Sequence, residues 1–65
     1  MIRVNGDPSD LAPGTTVTQL LAHLAAPDRG VAVAIDGEVV PRGSWEATAI
    51  ADEAKVEVVM AVQGG

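Results

Sequence analysis

Residues 55–62, Lys55-Val56-Glu57-Val58-Val59-Met60-Ala61-Val62, decide how this chain folds. The run is rich in β-branched residues. Strict alternation puts Val56, Val58, Met60 and Val62 on one face and Glu57, Val59 and Ala61 on the other. No hairpin partner stands immediately before it. So apolar a strand fits the middle of a sheet, and its neighbours must come from far earlier in the chain.

Those neighbours can be read by moving outward. Val31-Ala32-Val33-Ala34-Ile35 is a strand with large residues on one face and alanines on the other. Asp36-Gly37 supplies the positive φ angles of a type I′ turn, Glu38-Val39-Val40 returns, and Pro41 closes the hairpin. Ser44-Trp45-Glu46 is expected to cap a short helical turn. Before this hairpin, Thr16-Val17-Thr18-Gln19 has the form of a capping box. Val17, Leu20, Leu21 and Leu24 then make one apolar helical stripe, which Pro27 stops near Ala25 or Ala26. At the start, Ile2-Arg3-Val4-Asn5 alternates and Asn5-Gly6 marks a second tight hairpin. Its return segment from Pro8 to Ala12 offers Leu11 inward, Pro8 suits a sheet edge, and Pro13-Gly14 ends it.

Two hairpins, one helix between them and a final strand bury the helix stripe on a single sheet. The final strand then runs parallel to the first. The expected fold is α+β, a ubiquitin-like β-grasp with a mixed sheet of four to five strands packed on one short helix. Residues 1–62 are expected to form one domain and residues 63–65 a flexible Gly-Gly tail.

Composition narrows the function. At 65 residues, folding buries only about 60% of the unfolded chain's surface, and with no cysteine there is no disulfide or thiolate metal site. Apolar residues make up 48% of the chain, and Trp45 is the only aromatic one, so little room is expected for a deep pocket. The formal net charge of −5 argues against nucleic acid and anionic membranes. The acidic excess suits either steering toward basic partners or solubility. No apolar run approaches the roughly 20 residues of a membrane span, and the N-terminus lacks signal-peptide features, so a cytoplasmic protein is expected. There is no nucleophile–histidine pairing, metal cluster or phosphate-cradling glycine loop, so the chain is not expected to be an enzyme. His23 lies off the apolar stripe and reads as a surface residue. Trp45 reads as packing over one end of the core, and Arg42 as a solvated loop residue.

The stretches "TTVTQLLAHL" (15–24), "VAVAIDGEVVPRGSWEAT" (31–48) and "VEVVMAVQGG" (56–65) together resemble the ThiS family, the sulfur carriers of bacterial thiamine biosynthesis. The most specific portion is Asp36 to Arg42 followed by Trp45, with Gln63-Gly64-Gly65. Asp36-Gly37 stands where the family often has Asn-Gly, and Asp52-Glu53-Ala54 where a Gly-Asp turn is common. The resemblance implies that the Gly65 carboxylate is adenylated and then converted to a thiocarboxylate. Gly64 would give the tail freedom. Val59 and Ala61, outward on the last strand beside Ala32 and Ala34, are expected with Gln63 to meet partners. The implied partners are an E1-like adenylyltransferase of the ThiF type, a persulfide sulfur donor and a thiazole synthase of the ThiG type. ATP and Mg would belong to the activating enzyme, with no cofactor held by this chain. The same tail chemistry keeps two alternatives open: a small subunit of molybdopterin synthase, or a ubiquitin-like modifier.

Overall fold

The computed structural model describes residues 1–27 and 29–60. Its elements, in chain order, are β1 (Arg3–Val4), β2 (Asp7–Pro8), α1 (Val17–His23), β3 (Val31–Ile35), β4 (Glu38–Val39), a 3₁₀ turn (Arg42–Ser44) and β5 (Lys55–Met60). Among the described residues the strands form one mixed sheet in the order β2-β1-β5-β3-β4. β5 is central, parallel to β1 and antiparallel to β3, as its apolar character demands. The fold is the ubiquitin-like β-grasp.

Both hairpins turn on local chemistry. Asn5 and Gly6 have φ of 52° and 84°, and Asp36 and Gly37 have 50° and 87°. These are the left-handed angles of a type I′ turn, which asparagine, aspartate and glycine reach most cheaply. Pro8 lies on the edge strand β2, where its missing N–H costs the ladder nothing. The strands of the first hairpin are shorter than the sequence pattern suggests, with β1 covering Arg3–Val4 and β2 Asp7–Pro8.

Helix α1 begins with the capping box. The Thr16 hydroxyl accepts from the Gln19 N–H at 3.1 Å, and the Gln19 side chain accepts from the Thr16 N–H at 3.0 Å. The N–H groups of Val17 and Thr18 are taken up by the carbonyls of Thr48 (3.1 Å) and Trp45 (3.4 Å). The first-turn donors that a helix leaves unpaired are thereby satisfied, two of them by the 45–48 loop. The helix stops at His23, short of the Ala25–Ala26 expected from Pro27. Ala25 turns left-handed (φ 54°), its N–H donates to Ala22 and the Ala26 N–H donates to Leu21 at 2.9 Å. That is a Schellman motif, with alanine in the place glycine usually takes.

The core consists of Ile2, Val17, Leu20, Leu21, Val33, Ile50, Ala54, Val56 and Val58. Two residues assigned inward by periodicity are not buried: Leu24 is 37% and Met60 44% exposed. The parity is right but the covering element is missing. Leu24 lies beyond the last helical turn, and β1 stops at Val4, opposite Val56, leaving Met60 without a neighbour on that side. Both line an open groove between α1 and the first hairpin. Ser44 does not cap a helical turn either. Pro41, at φ −59°, opens the turn three residues earlier, and the Ser44 N–H donates to its carbonyl at 2.8 Å.

Candidate functional site

Strand β5 carries the chain toward its C-terminal residues, and its neighbours fix which side chains accompany it. Paired residues in a ladder share a face. Ala32 faces Val59, Ala34 faces both Glu57 and Val39, and Arg3 faces Lys55. These are the residues of the sheet surface turned away from α1. Val59 is 61% and Val39 73% exposed, so with Ala32 and Ala34 they form a flat apolar patch beside the end of β5. A contiguous exposed apolar patch is a feature of interaction sites.

Of the residues expected to contact partners, Val59 is therefore on the open face, directly opposite Ala32. Ala61, Gln63, Gly64 and Gly65 lie outside the described residues, as does Val62. Val39 belongs to the patch but was not expected there. Its place is readable in retrospect, because a two-residue turn at Asp36-Gly37 forces Ile35 opposite Glu38 and Ala34 opposite Val39.

The sheet is held to its end by an unusual rung. The Asn5 N–H donates to the Val56 carbonyl at 2.8 Å, and the Asn5 side-chain oxygen then accepts from the Val58 N–H at 2.8 Å. Asn5 thus both turns the hairpin and extends the β1–β5 ladder past the point where the β1 backbone has left it.

Elsewhere, Trp45 is half-buried against the core, and its indole N–H donates to the Val40 carbonyl at 3.0 Å. The Arg42 guanidinium sits 5.7 Å from the centre of the Trp45 ring, a cation–π placement rather than free solvation. The depression beside them, about 390 Å³, is broad and open, lined by Thr18, Leu21, Ala22, Pro27, Arg42 and Trp45 among others. His23 is exposed, and among the described residues no three acidic, histidine or cysteine side chains converge as a metal site. The Met1 amino group lies between Asp52 Oδ1 (2.8 Å) and Glu53 Oε1 (2.9 Å). The hydrogen bond to Asp52, then that to Glu53, raises the pKa of the amine, and the same amine lowers that of Asp52. Among the described residues no helix is long and apolar enough to cross a membrane.

Comparison with known proteins converges on one family. The ThiS family model matches residues 2–65. The crystal structure of the thiamine biosynthesis protein ThiS from Geobacter metallireducens is 37% identical, with a TM-score of 0.79 over 98% of this chain and 97% of that one. An NMR structure of a thiamine biosynthesis protein from the same organism gives a TM-score of 0.80 at 37% identity, covering 98% of this chain and 86% of that one. Among curated proteins, the thiazole synthases of Paramagnetospirillum magneticum and Magnetococcus marinus are each 36% identical, over 95% and 98% of this chain. Those relatives are much longer: the chain spans 19% and 20% of their lengths.

Proposed function

The chain belongs to the ThiS family, the sulfur carriers of thiamine biosynthesis, and we propose that it carries sulfur as a thiocarboxylate on Gly65. The observation that carries this reading is the family match, which runs through Gln63-Gly64-Gly65. The chain is a co-substrate on this reading, acted on by other proteins, and catalyses nothing alone.

The chemistry explains the residue types. A carboxylate is a poor electrophile, because a nucleophile must add to a group that already bears negative charge. An activating enzyme of the ThiF type removes that obstacle. The Gly65 carboxylate attacks the α-phosphorus of ATP, pyrophosphate leaves, and an acyl-adenylate forms, with Mg and the electrostatic stabilisation supplied by the enzyme. The terminal sulfur of a cysteine persulfide then attacks the acyl carbon and AMP departs. A thiol cleaves the resulting S–S bond, leaving the thiocarboxylate on Gly65 and a disulfide on the donor side. This chain has no cysteine, so every thiol in the sequence of steps belongs to a partner. Glycine at 64 and 65 puts no Cβ beside the reacting carbonyl, which admits the end of the chain to a narrow active site. A requirement for ATP supports a cytoplasmic site of loading. The apolar patch of Val59, Val39, Ala32 and Ala34 supports a docking role for the sheet face. Delivery to a thiazole synthase of the ThiG type is supported by the names of the curated relatives.

The test is chemical. The chain is incubated with an E1-like adenylyltransferase, ATP, Mg and a persulfide donor, then cleaved after Lys55, its only lysine, and the 56–65 peptide is fragmented. Sulfur is expected at Gly65, and deletion of Gly65 is expected to abolish loading while preserving the fold. Fragment ions must separate Gly65 from Met60, because oxidation of Met60 changes the peptide mass almost as much as replacing oxygen with sulfur. Sulfur found on any other residue, or loading that survives the deletion, refutes the reading. An amide bond from Gly65 to another protein identifies a modifier instead.

A further inference from the structure

Asn5-Gly6 and Asp36-Gly37 are the two places where an acidic or amide residue of the aspartate type precedes glycine, and Asn5 is the only asparagine in the chain. An asparagine before glycine is open to reaction with its own backbone, because no Cβ hinders approach to the glycine nitrogen. That nitrogen loses its proton and adds to the Asn5 Cγ, and the side-chain nitrogen leaves as ammonia. A five-membered succinimide remains. One water then opens the ring at either carbonyl, giving aspartate or isoaspartate. Water is the only co-reactant, and nothing is oxidised or reduced.

Asn5 and Gly6 are both exposed, and nothing lies within 4 Å of the position a Gly6 Cβ would take. The turn therefore has no steric screen at Gly6, and what restrains it is its tie to β5. Ring closure must rotate Cγ onto the Gly6 nitrogen. The Asn5 side-chain oxygen opposes this by accepting from the Val58 N–H at 2.8 Å, while the Asn5 N–H donates to the Val56 carbonyl at 2.8 Å. A donor on the amide oxygen also draws electron density from Cγ, which by itself favours attack. Geometry outweighs that effect, because the same bond has to break before Cγ can swing. The second hairpin repeats the device. The Asp36 side-chain oxygen accepts from the Lys55 N–H at 3.0 Å, and the Asp36 N–H donates to the Lys55 carbonyl at 2.8 Å. Both turns are tied by side chain and backbone to the central strand, from opposite sides.

We infer that Asn5-Gly6 is a latent deamidation site gated by its hydrogen bond to Val58: the folded chain is protected, and each opening of the β1–β5 pairing exposes it. The two products differ. Aspartate at position 5 keeps an acceptor in place and adds one negative charge. Isoaspartate routes the backbone through the former side chain, which adds a methylene to a two-residue turn and takes the acceptor away from Val58. It is the product that loosens β5 at Val58, next to the exposed Val59. The inference is independent of the carrier reading above.

Ageing the full chain in mildly alkaline buffer, at urea concentrations from none to fully denaturing, tests it. Trypsin releases residues 4–29, in which Asn5 is the sole asparagine, and fragmentation scores its conversion. Hydrogen exchange at the Val58 amide is read by NMR under the same conditions. Deamidation is expected to be at least about tenfold slower in buffer than in denaturing urea, and at low urea to rise in step with Val58 exchange, since one opening releases both. The isoaspartate fraction is expected to unfold at a lower urea midpoint than the aspartate fraction. A folded rate within about tenfold of the denatured one, a urea dependence that departs from that of Val58 exchange, or equal midpoints for the two products overturns the proposal.

Discussion

Asn5 is the residue at which sequence, turn and sheet meet, and removing its side chain separates two energies. The amide oxygen accepts the Val58 N–H at 2.8 Å, and Val58 is a buried residue of the central strand. Without that acceptor the N–H is left to whatever water reaches it. An unsatisfied buried donor costs about 1–3 kcal/mol, and because Asn5 is itself exposed the lower part of that range applies. Asn5 also holds φ at 52°, where an ordinary residue with a Cβ costs about 1–2 kcal/mol and glycine nothing. Asn5→Gly is therefore expected to lose about 1–1.5 kcal/mol and Asn5→Ala about 2–3 kcal/mol. Asn5→Asp, which keeps an acceptor and tolerates the turn, should stay near wild type. A domain of this length has a total stability of roughly 3–10 kcal/mol, and each kcal/mol moves Tm by about 4–8 °C, so the differences are large. Trp45, half-buried with its indole N–H bonded, reports urea unfolding by its fluorescence. Hydrogen exchange at the Val58 amide should accelerate in both the glycine and alanine variants. Equal stabilities for those two variants would remove the left-handed contribution. A glycine variant as stable as wild type would remove the hydrogen bond from the argument.

Other substitutions probe the remaining claims. Ala25→Gly, at the left-handed position of the Schellman motif, should raise stability by about 0.5–1 kcal/mol, and a loss in urea unfolding would contradict that assignment. Ile50→Ala should cost about 2–5 kcal/mol, since Ile50 is fully buried, whereas Leu24→Ala should cost under about 1 kcal/mol. The reverse ranking would return Leu24 to the core. NMR titration of the chain should find Asp52 below the ordinary aspartate range and the Met1 amine above its own. The Asp52 contribution to stability is present above its unfolded pKa and fades as pH falls through the lowered folded value. The amine's contribution is present below its unfolded pKa and fades as pH rises through the raised folded one. Both groups are exposed, so the pair should alter stability only slightly, and an Asp52 that titrates normally would show that the contact does not form in solution.

The parts of this protein that were legible in advance are those whose energetics close within a few residues. Asn5-Gly6 and Asp36-Gly37 turn because of their own backbone preferences, and Thr16 with Gln19 caps a helix within one turn. The central, parallel placement of β5 is the long-range exception, read from its apolar pattern and its lack of a hairpin partner. The family resemblance was legible too, and the family match over residues 2–65 bears it out. What the linear order left undecided was whether another element arrives to cover a face. Leu24 and Met60 have inward parity, but the helix and β1 stop short of them. Ile50 and Ala54 show no periodicity at all. Backbone contacts from the 45–50 loop to Thr15, Val17 and Thr18 hold that loop against the start of α1, where Ile50 is buried in the core. The juxtaposition of Arg3 with Lys55 likewise depends on the register of a parallel pair separated by most of the chain. Local patterns set each residue's orientation; only long-range pairing decides what that orientation meets.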